Sequence, residues 1–150
     1  MALLEIRISE DETLRKRCRP VGAVDDRIRT ILDDMTDTMR HTPNCGGLAG
    51  NQVGILRRLV VIDVDGVQYQ LVNPEILSAE GEQDGPEGCM SFPGIFGMVK
   101  RPKRVKVRAL DRDGREIEIE GKDMLARCLC HEIDHLDGIV FVDKISRRVD

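Results

Sequence analysis

His131-Glu132-Ile133-Asp134-His135 is the stretch from which the rest of the chain can be read. Its two histidines stand four apart, with a glutamate directly after the first. On a helix, positions four apart lie on one face, one turn apart. Both imidazoles can therefore reach a single metal ion. Glu132 is rotated about 100° from His131 and can stand beside an open position on that metal. The pattern suits a metal-activated water with a carboxylate base. Around it, Asp123 to Leu136 predicts a helix, with Gly138 as its C′ residue.

Working outward, the middle of the chain reads as strands. Arg104–Leu110 alternates, with Val105, Val107 and Ala109 on one face and Arg104, Lys106 and Arg108 on the other. Asp113-Gly114 turns it into Glu116–Glu120. Leu59–Val64, Tyr69–Val72 and Ile76–Gly81 are further strands, the first two joined by an Asp65-Gly66 hairpin turn. Cys45 to Gly54 is a glycine-rich loop, and Asp84–Gly97, rich in Gly and Pro, reads as irregular. Asp25 to about Arg40 predicts a helix: Ile28, Ile31, Leu32, Met35 and Met39 form one apolar face, and Asp25 is an N-cap candidate. Residues 1–24 read as an extended segment wrapping the domain, and Val140–Val142 as a short final strand. The expected class is α+β. Antiparallel or mixed β-sheets pack around the C-terminal metal-binding helix, with one earlier helix, in a single domain over residues 1–150.

Composition sets limits. The chain has 150 residues, a net charge of −4 and 33% charged residues. That balance describes no obvious nucleic-acid binder, and DNA is not an expected partner. With one Tyr, three Phe and no Trp, the core must be aliphatic. No basic leader precedes a long apolar run, so neither a signal peptide nor a membrane partner is expected, and the predicted location is cytoplasmic. Five cysteines, with no framework spacing, read as reduced thiols available to a metal.

The histidine pair needs a third ligand. The longer zinc-endopeptidase pattern is met at Gly138 but fails at Phe141, which cannot bind metal. No glutamate follows His135, so the third ligand must come from upstream. Cys128 shares a face with His131, but it lies about 10 Å of helix rise from His135. Cys130 points about 100° away from His131, and core packing is the expected role of both. Cys89, in Glu87-Gly88-Cys89-Met90-Ser91, follows a glycine that permits close backbone approach. By itself it reads equally well as a ligand or as a packed thiol. Gln52 by itself reads as a polar loop residue.

Three stretches together resemble the peptide deformylase family, whose members remove the formyl group from the N-terminal methionine of new bacterial-type polypeptides. The family carries Gly-x-Gly-Leu-Ala-Ala-x-Gln, then Glu-Gly-Cys-x-Ser, then Gln-His-Glu-x-Asp-His. Here they read Cys45-Gly46-Gly47-Leu48-Ala49-Gly50-Asn51-Gln52, Glu87-Gly88-Cys89-Met90-Ser91 and Cys130-His131-Glu132-Ile133-Asp134-His135. Cys45, Gly46, Gly50 and Cys130 depart from the usual residues, and the added glycines predict a more flexible loop.

The resemblance implies that Cys89, His131 and His135 bind one divalent metal ion, natively iron(II), which zinc, nickel or cobalt can replace. It implies a metal-activated water as nucleophile and Glu132 as general base and acid. The Gln52 amide and the Met90 backbone N–H would serve as oxyanion donors. The implied substrate is an N-formyl-methionyl nascent peptide, lying extended against Gly46-Gly47 and the Gly88 region. Met124, Leu125 and Cys128 are candidates for the methionine pocket. Arg101, Lys103, Arg104, Lys106 and Arg108, with Lys100 before them, form a basic cluster. It reads as a solvated edge or as a transient contact with the ribosome.

Overall fold

The computed structural model describes residues 2–149. Helix α1 (Asp26–His41) begins where expected, because the Asp25 carboxylate accepts from the Ile28 N–H at 3.0 Å. Strands β1 (Gly47–Ala49), β2 (Leu59–Val64), β3 (Val67–Glu80), β6 (Arg104–Leu110) and β7 (Glu116–Lys122) form an antiparallel sheet in the order β1-β2-β3-β6-β7. A smaller antiparallel sheet, in the order β4-β5-β8, joins β4 (Gln83–Glu87), β5 (Gly97–Arg101) and β8 (Ile145–Arg148). Helix α2 (Met124–Leu136) carries the His-Glu-x-x-His stretch. The class is α+β, with antiparallel pairing in every named strand pair.

The larger sheet is covered on both faces. Successive residues of β2 point to opposite sides. Leu59 and Val61 pack with Ile28, Leu32, Met35 and Met39 of α1. Val60 and Ile62 pack with Ala126, Leu129, Ile133 and Leu136 of α2. This explains the unbroken Leu-Val-Val-Ile run, since a strand buried on both faces has no polar side. A third cluster, with Leu14, Phe92, Val99, Val140 and Phe141, fills the space beside the small sheet.

Several elements differ from expectation. Tyr69–Val72 and Ile76–Gly81 belong to one strand, β3. It continues through Asn73-Pro74 because Asn73 adopts φ 52° and the pairing with β6 shifts register there. The Asn73 side chain bonds both the N–H and the C=O of Val21, tying the N-terminal segment to this bulge. The 84–97 stretch is only partly irregular, because 83–87 form an edge strand, a place where Pro86 is tolerated. Val140–Val142 is not a strand: Phe141–Asp143 forms a 3₁₀ turn, and the last strand is the more polar Ile145–Arg148.

Residues 2–24 do run along the domain. The Arg7 N–H donates to the Gln52 C=O, Ser9 N–H to Ser91 C=O and Cys18 N–H to Leu136 C=O. The glycine-rich stretch is not a loop throughout. Part of it is β1, and Gly50–Val53 is a buried 3₁₀ turn. Gly138, at φ 76°, closes α2: its N–H bonds His135 C=O and that of Ile139 bonds Asp134 C=O.

The basic cluster needs correcting at Arg101. Its side chain is buried between Glu87 and Asp134 and does not join the surface strand. Of the others, Lys103 pairs with Asp123, Lys106 with Glu120 and Arg108 with Glu75. No helix among the described residues is long and apolar enough to cross a membrane.

Candidate active site

A cleft of about 170 Å³ opens where β1, the Glu87–Met90 segment and α2 meet. Its walls are formed by Asn44–Gly47, Gln52, Pro86–Met90, Met124, Arg127, Cys128, His131 and Glu132. That volume is several times a water's share of about 30 Å³, enough to admit a side chain. β1 and β4 are edge strands of the two sheets, and both border the cleft. At β1, the Gly46 carbonyl accepts from the Asp63 N–H. By antiparallel alternation, the main-chain groups of Gly47 then face the open edge.

The Cys89 Sγ and one ring nitrogen from each of His131 and His135 lie within 4.8 Å of one another. Sγ of Cys89 is 3.4 Å from His135 Nε2. The two imidazoles leave the same face of α2 with ring centroids 5.0 Å apart. This buried S/N/N set suits a soft to borderline divalent ion. Phe141, the residue that breaks the longer zinc pattern, packs against the His131 ring at 5.8 Å between centroids.

Glu132 faces the same space from α2. One of its oxygens is buried without a hydrogen-bond partner. Burial pushes its pKa up to about 7, against the pull of neighbouring His131. The residue opposite is Gly47, and any larger residue there would have to displace the Glu132 carboxylate. A Cβ on Gly47 would stand 2.8 Å from Glu132 Oε2.

Gln52 is held by its own turn. Its Oε1 accepts from the Ala49 N–H at 2.9 Å, which turns Nε2 toward Ser91 Oγ (3.1 Å) and Cys89 Sγ (3.4 Å). Its amide N–H group therefore points toward one candidate metal ligand, Cys89, and toward Ser91. The Cys45 thiol lies 3.4 Å from the Gly47 carbonyl oxygen. Burial raises the thiols of both Cys45 and Cys128 to about 12, so they stay protonated.

A polar cluster behind the ligands was not foreseen. Glu87 Oε1 accepts from His131 Nδ1 at 2.8 Å and from Arg101 Nη2 at 2.9 Å. Its Oε2 accepts from Arg101 Nε at 2.8 Å and Arg127 Nη1 at 2.6 Å. Burial alone would raise the Glu87 pKa, but Arg101 and His131 hold it well below the ordinary carboxylate range. Asp134 takes the remaining fork of Arg101 at 2.6 Å and Lys144 at 3.2 Å. His131 is burdened by burial, yet Cys89, Glu87 and Glu132 together raise it to about 10, while burial and His131 drive His135 well below its usual value. Buried Asn51 bonds the His135 carbonyl and, at 3.3 Å, that of Lys16, fixing the end of α2.

Of the residues predicted from sequence, Cys89, His131, His135, Glu132, Gln52, Met90, Gly46, Gly47, Gly88, Met124 and Cys128 all gather here. Leu125 does not. Its position on α2 turns it toward Gly121 and the core, where an added Cβ on Gly121 would meet Leu125 Cγ at 3.1 Å. Arg101 and Arg127 were missed because their partner Glu87 lies 14 and 40 residues away. No local pattern announces such pairs.

Residues 3–150 match the family model described as polypeptide deformylase. The chain is 59% identical over 150 residues to the peptide deformylase of Caldanaerobacter subterraneus subsp. tengcongensis, covering all of this chain and 94% of that protein. It is 54% identical over 149 residues to peptide deformylase 2 of Clostridium acetobutylicum, covering 99% of each. The crystal structure of peptide deformylase from Thermotoga maritima superposes with a TM-score of 0.94 at 39% identity, over 97% of this chain and 99% of that one. That from Legionella pneumophila gives 0.92 at 46%, over 97% and 87%. An α+β frame holding a buried Cys/His/His group, together with similarity along nearly its whole length, makes this chain a member of the polypeptide deformylase family, metal-dependent enzymes that take the formyl group from formyl-methionyl peptides.

Proposed function

We propose that residues 1–150 act as one catalytic unit in the cytoplasm, with Cys89, His131 and His135 as ligands of a divalent ion, natively iron(II). Zinc, nickel or cobalt would be substitutes. The observation carrying this reading is that three buried ligand atoms converge within 4.8 Å, with the carboxylate of Glu132 in the same cleft. When bound, such an ion supplies Lewis acidity and brings a water's pKa towards ~7.

The chain's own residues do the rest. Glu132, its pKa raised to about 7, takes a proton from the attacking water and returns it to the departing amine. A base of this kind contributes roughly 10²–10⁴-fold. The Gln52 amide and the Met90 N–H stabilise the oxyanion that develops at the formyl group. Loss of one such donor costs on the order of 10²–10³ in rate. An extended peptide adds to the open edge of β1 at Gly47 and runs past Gly88, entering between the edges of the two sheets. Its methionine side chain lies against Met124, Cys128 and the stem of Arg127. Leu125 contributes only packing.

A transient ribosome contact through the basic strand would rest on Lys100, Lys103, Arg104, Lys106 and Arg108, since Arg101 is inside. Ribosome co-sedimentation that falls steeply between low and moderate salt supports it; binding that is absent or salt-insensitive refutes it.

The decisive assay uses anaerobically purified protein with formyl-Met-Ala, acetyl-Met-Ala and an internal peptide bond, following free amine. Release from formyl-Met-Ala alone is the expected result. Glu132→Ala should keep its metal and lose turnover. Cleavage of the internal peptide would point to an endopeptidase. Bound metal without turnover in the parent protein would point to a purely structural site.

A further inference from the structure

We propose that Arg127 is a positioning residue for the metal site, anchoring Glu87 to helix α2 so that Glu87 keeps its hold on His131. This rests on the reading of Cys89, His131 and His135 as metal ligands.

The geometry is specific. Arg127 stands one helical turn before His131 on α2 and is 6% exposed. Its Nη1 reaches Glu87 Oε2 at 2.6 Å and the Val99 carbonyl at 3.1 Å. Glu87 is thus gripped from two directions. Arg101, on β5, binds both carboxylate oxygens as a fork. That grip ties Glu87, on β4, to β5, and the third Arg101 nitrogen reaches Asp134 on α2 at 2.6 Å. Arg127 supplies a second tie, made from the helix that carries both imidazoles directly to the Glu87 carboxylate. It also bonds β5 through the Val99 carbonyl, so this one side chain joins α2 to both β4 and β5.

The consequence falls on His131. Its Nδ1–H donates to Glu87 Oε1, which leaves Nε2 as the nitrogen offered to the site. Partners behind a ligating histidine fix its tautomer and ring orientation, and losing one typically costs 10–100-fold in metal affinity or activity. Arg127 acts through Glu87 and need not touch the reacting atoms to matter. Arg127 also lines the cleft, so the residue that holds Glu87 forms part of the cleft wall.

The test compares Arg127→Met, which keeps the stem and removes the donors, with Arg127→Lys, which keeps one charged donor. Chelator competition on the cobalt(II)-loaded proteins reads metal affinity. The cobalt absorption spectrum reads ligand geometry, and steady-state kinetics separates kcat from KM. Arg127→Met should lose about 10–100-fold in metal affinity, shift the cobalt spectrum and lower kcat more than it raises KM. Arg127→Lys should recover part of each. Adding Arg127→Met to Glu87→Gln should cost little further affinity, because both act through one contact.

An Arg127→Met protein with parental metal affinity and spectrum overturns the proposal, whether it melts lower or shows only a raised KM. Full additivity with Glu87→Gln overturns it as well. If the parent protein itself binds no metal, it is the reading of the ligands that fails.

Discussion

At the scale of single residues, the site depends on two carboxylates held in opposite states. Glu87 accepts four hydrogen bonds from His131, Arg101 and Arg127 and stays ionised. Glu132 has a buried oxygen with no partner, and burial raises its pKa from 4.5 to about 7. A folded pKa above the unfolded one means that the Glu132 contribution to stability is fully present below pH 4.5 and is lost as pH rises through about 7. The Glu132 share of the metal-free protein's stability should therefore fall across this window by on the order of 3 kcal/mol. Glu132→Gln should remove that loss, so its melting temperature should exceed the parent's at pH 8 but not at pH 4, while turnover falls at least 10²-fold. Thermal melts of both metal-free proteins at the two pH values check the sign. Gly47→Ala is the matching steric test. Its Cβ would meet Glu132 Oε2 at 2.8 Å, so kcat should drop by about 10²-fold, as for a catalytic group displaced by about 1 Å. Circular dichroism should stay close to the parent's.

At the scale of elements, the 3₁₀ turn Gly50–Val53 inverts a rule of thumb. The family motif has alanine where this chain has Gly50, and restoring a consensus residue commonly stabilises. Here the added Cβ would lie 2.4 Å from the Arg57 carbonyl oxygen and 2.5 Å from that of Ile55. These are backbone atoms that cannot step aside. Gly50→Ala should cost about 1–3 kcal/mol, read as a lower urea midpoint. Because the same turn carries Gln52, activity in the remaining folded protein should fall too.

At the scale of the whole molecule, the large sheet divides the core into two clusters with different duties. The α1 side holds Leu32 and Met35, both 0% exposed and on the face of the sheet away from α2. Met35→Ala should cost about 2–5 kcal/mol yet leave kcat and metal affinity unchanged at temperatures where the protein stays folded. Metal removal acts on the other side. Stripping the ion with a chelator should abolish turnover and lower the melting temperature, since a ligand at 100 times its Kd contributes about 2.7 kcal/mol. Re-addition of iron(II), nickel or cobalt under anaerobic conditions should restore both.

Local patterns in the chain determined its class and the core of its site. Helical periodicity in 28–39, alternation in 104–110 and the four-residue spacing of His131 and His135 are short-range signals that need no distant partner to be read. The three motifs added Cys89 and Gln52. The tertiary structure decided what depends on distant partners. Pro and Gly hid β4 within an apparently irregular stretch, because an edge strand needs few local signals of its own. Arg101 looked like one more surface cation, but β5 turns it inward to Glu87. Leu125 lay one position off the cleft face of α2. Arg127 carried no signal at all, since a lone arginine in a helix reads as solvated until Glu87, forty residues earlier, is folded against it.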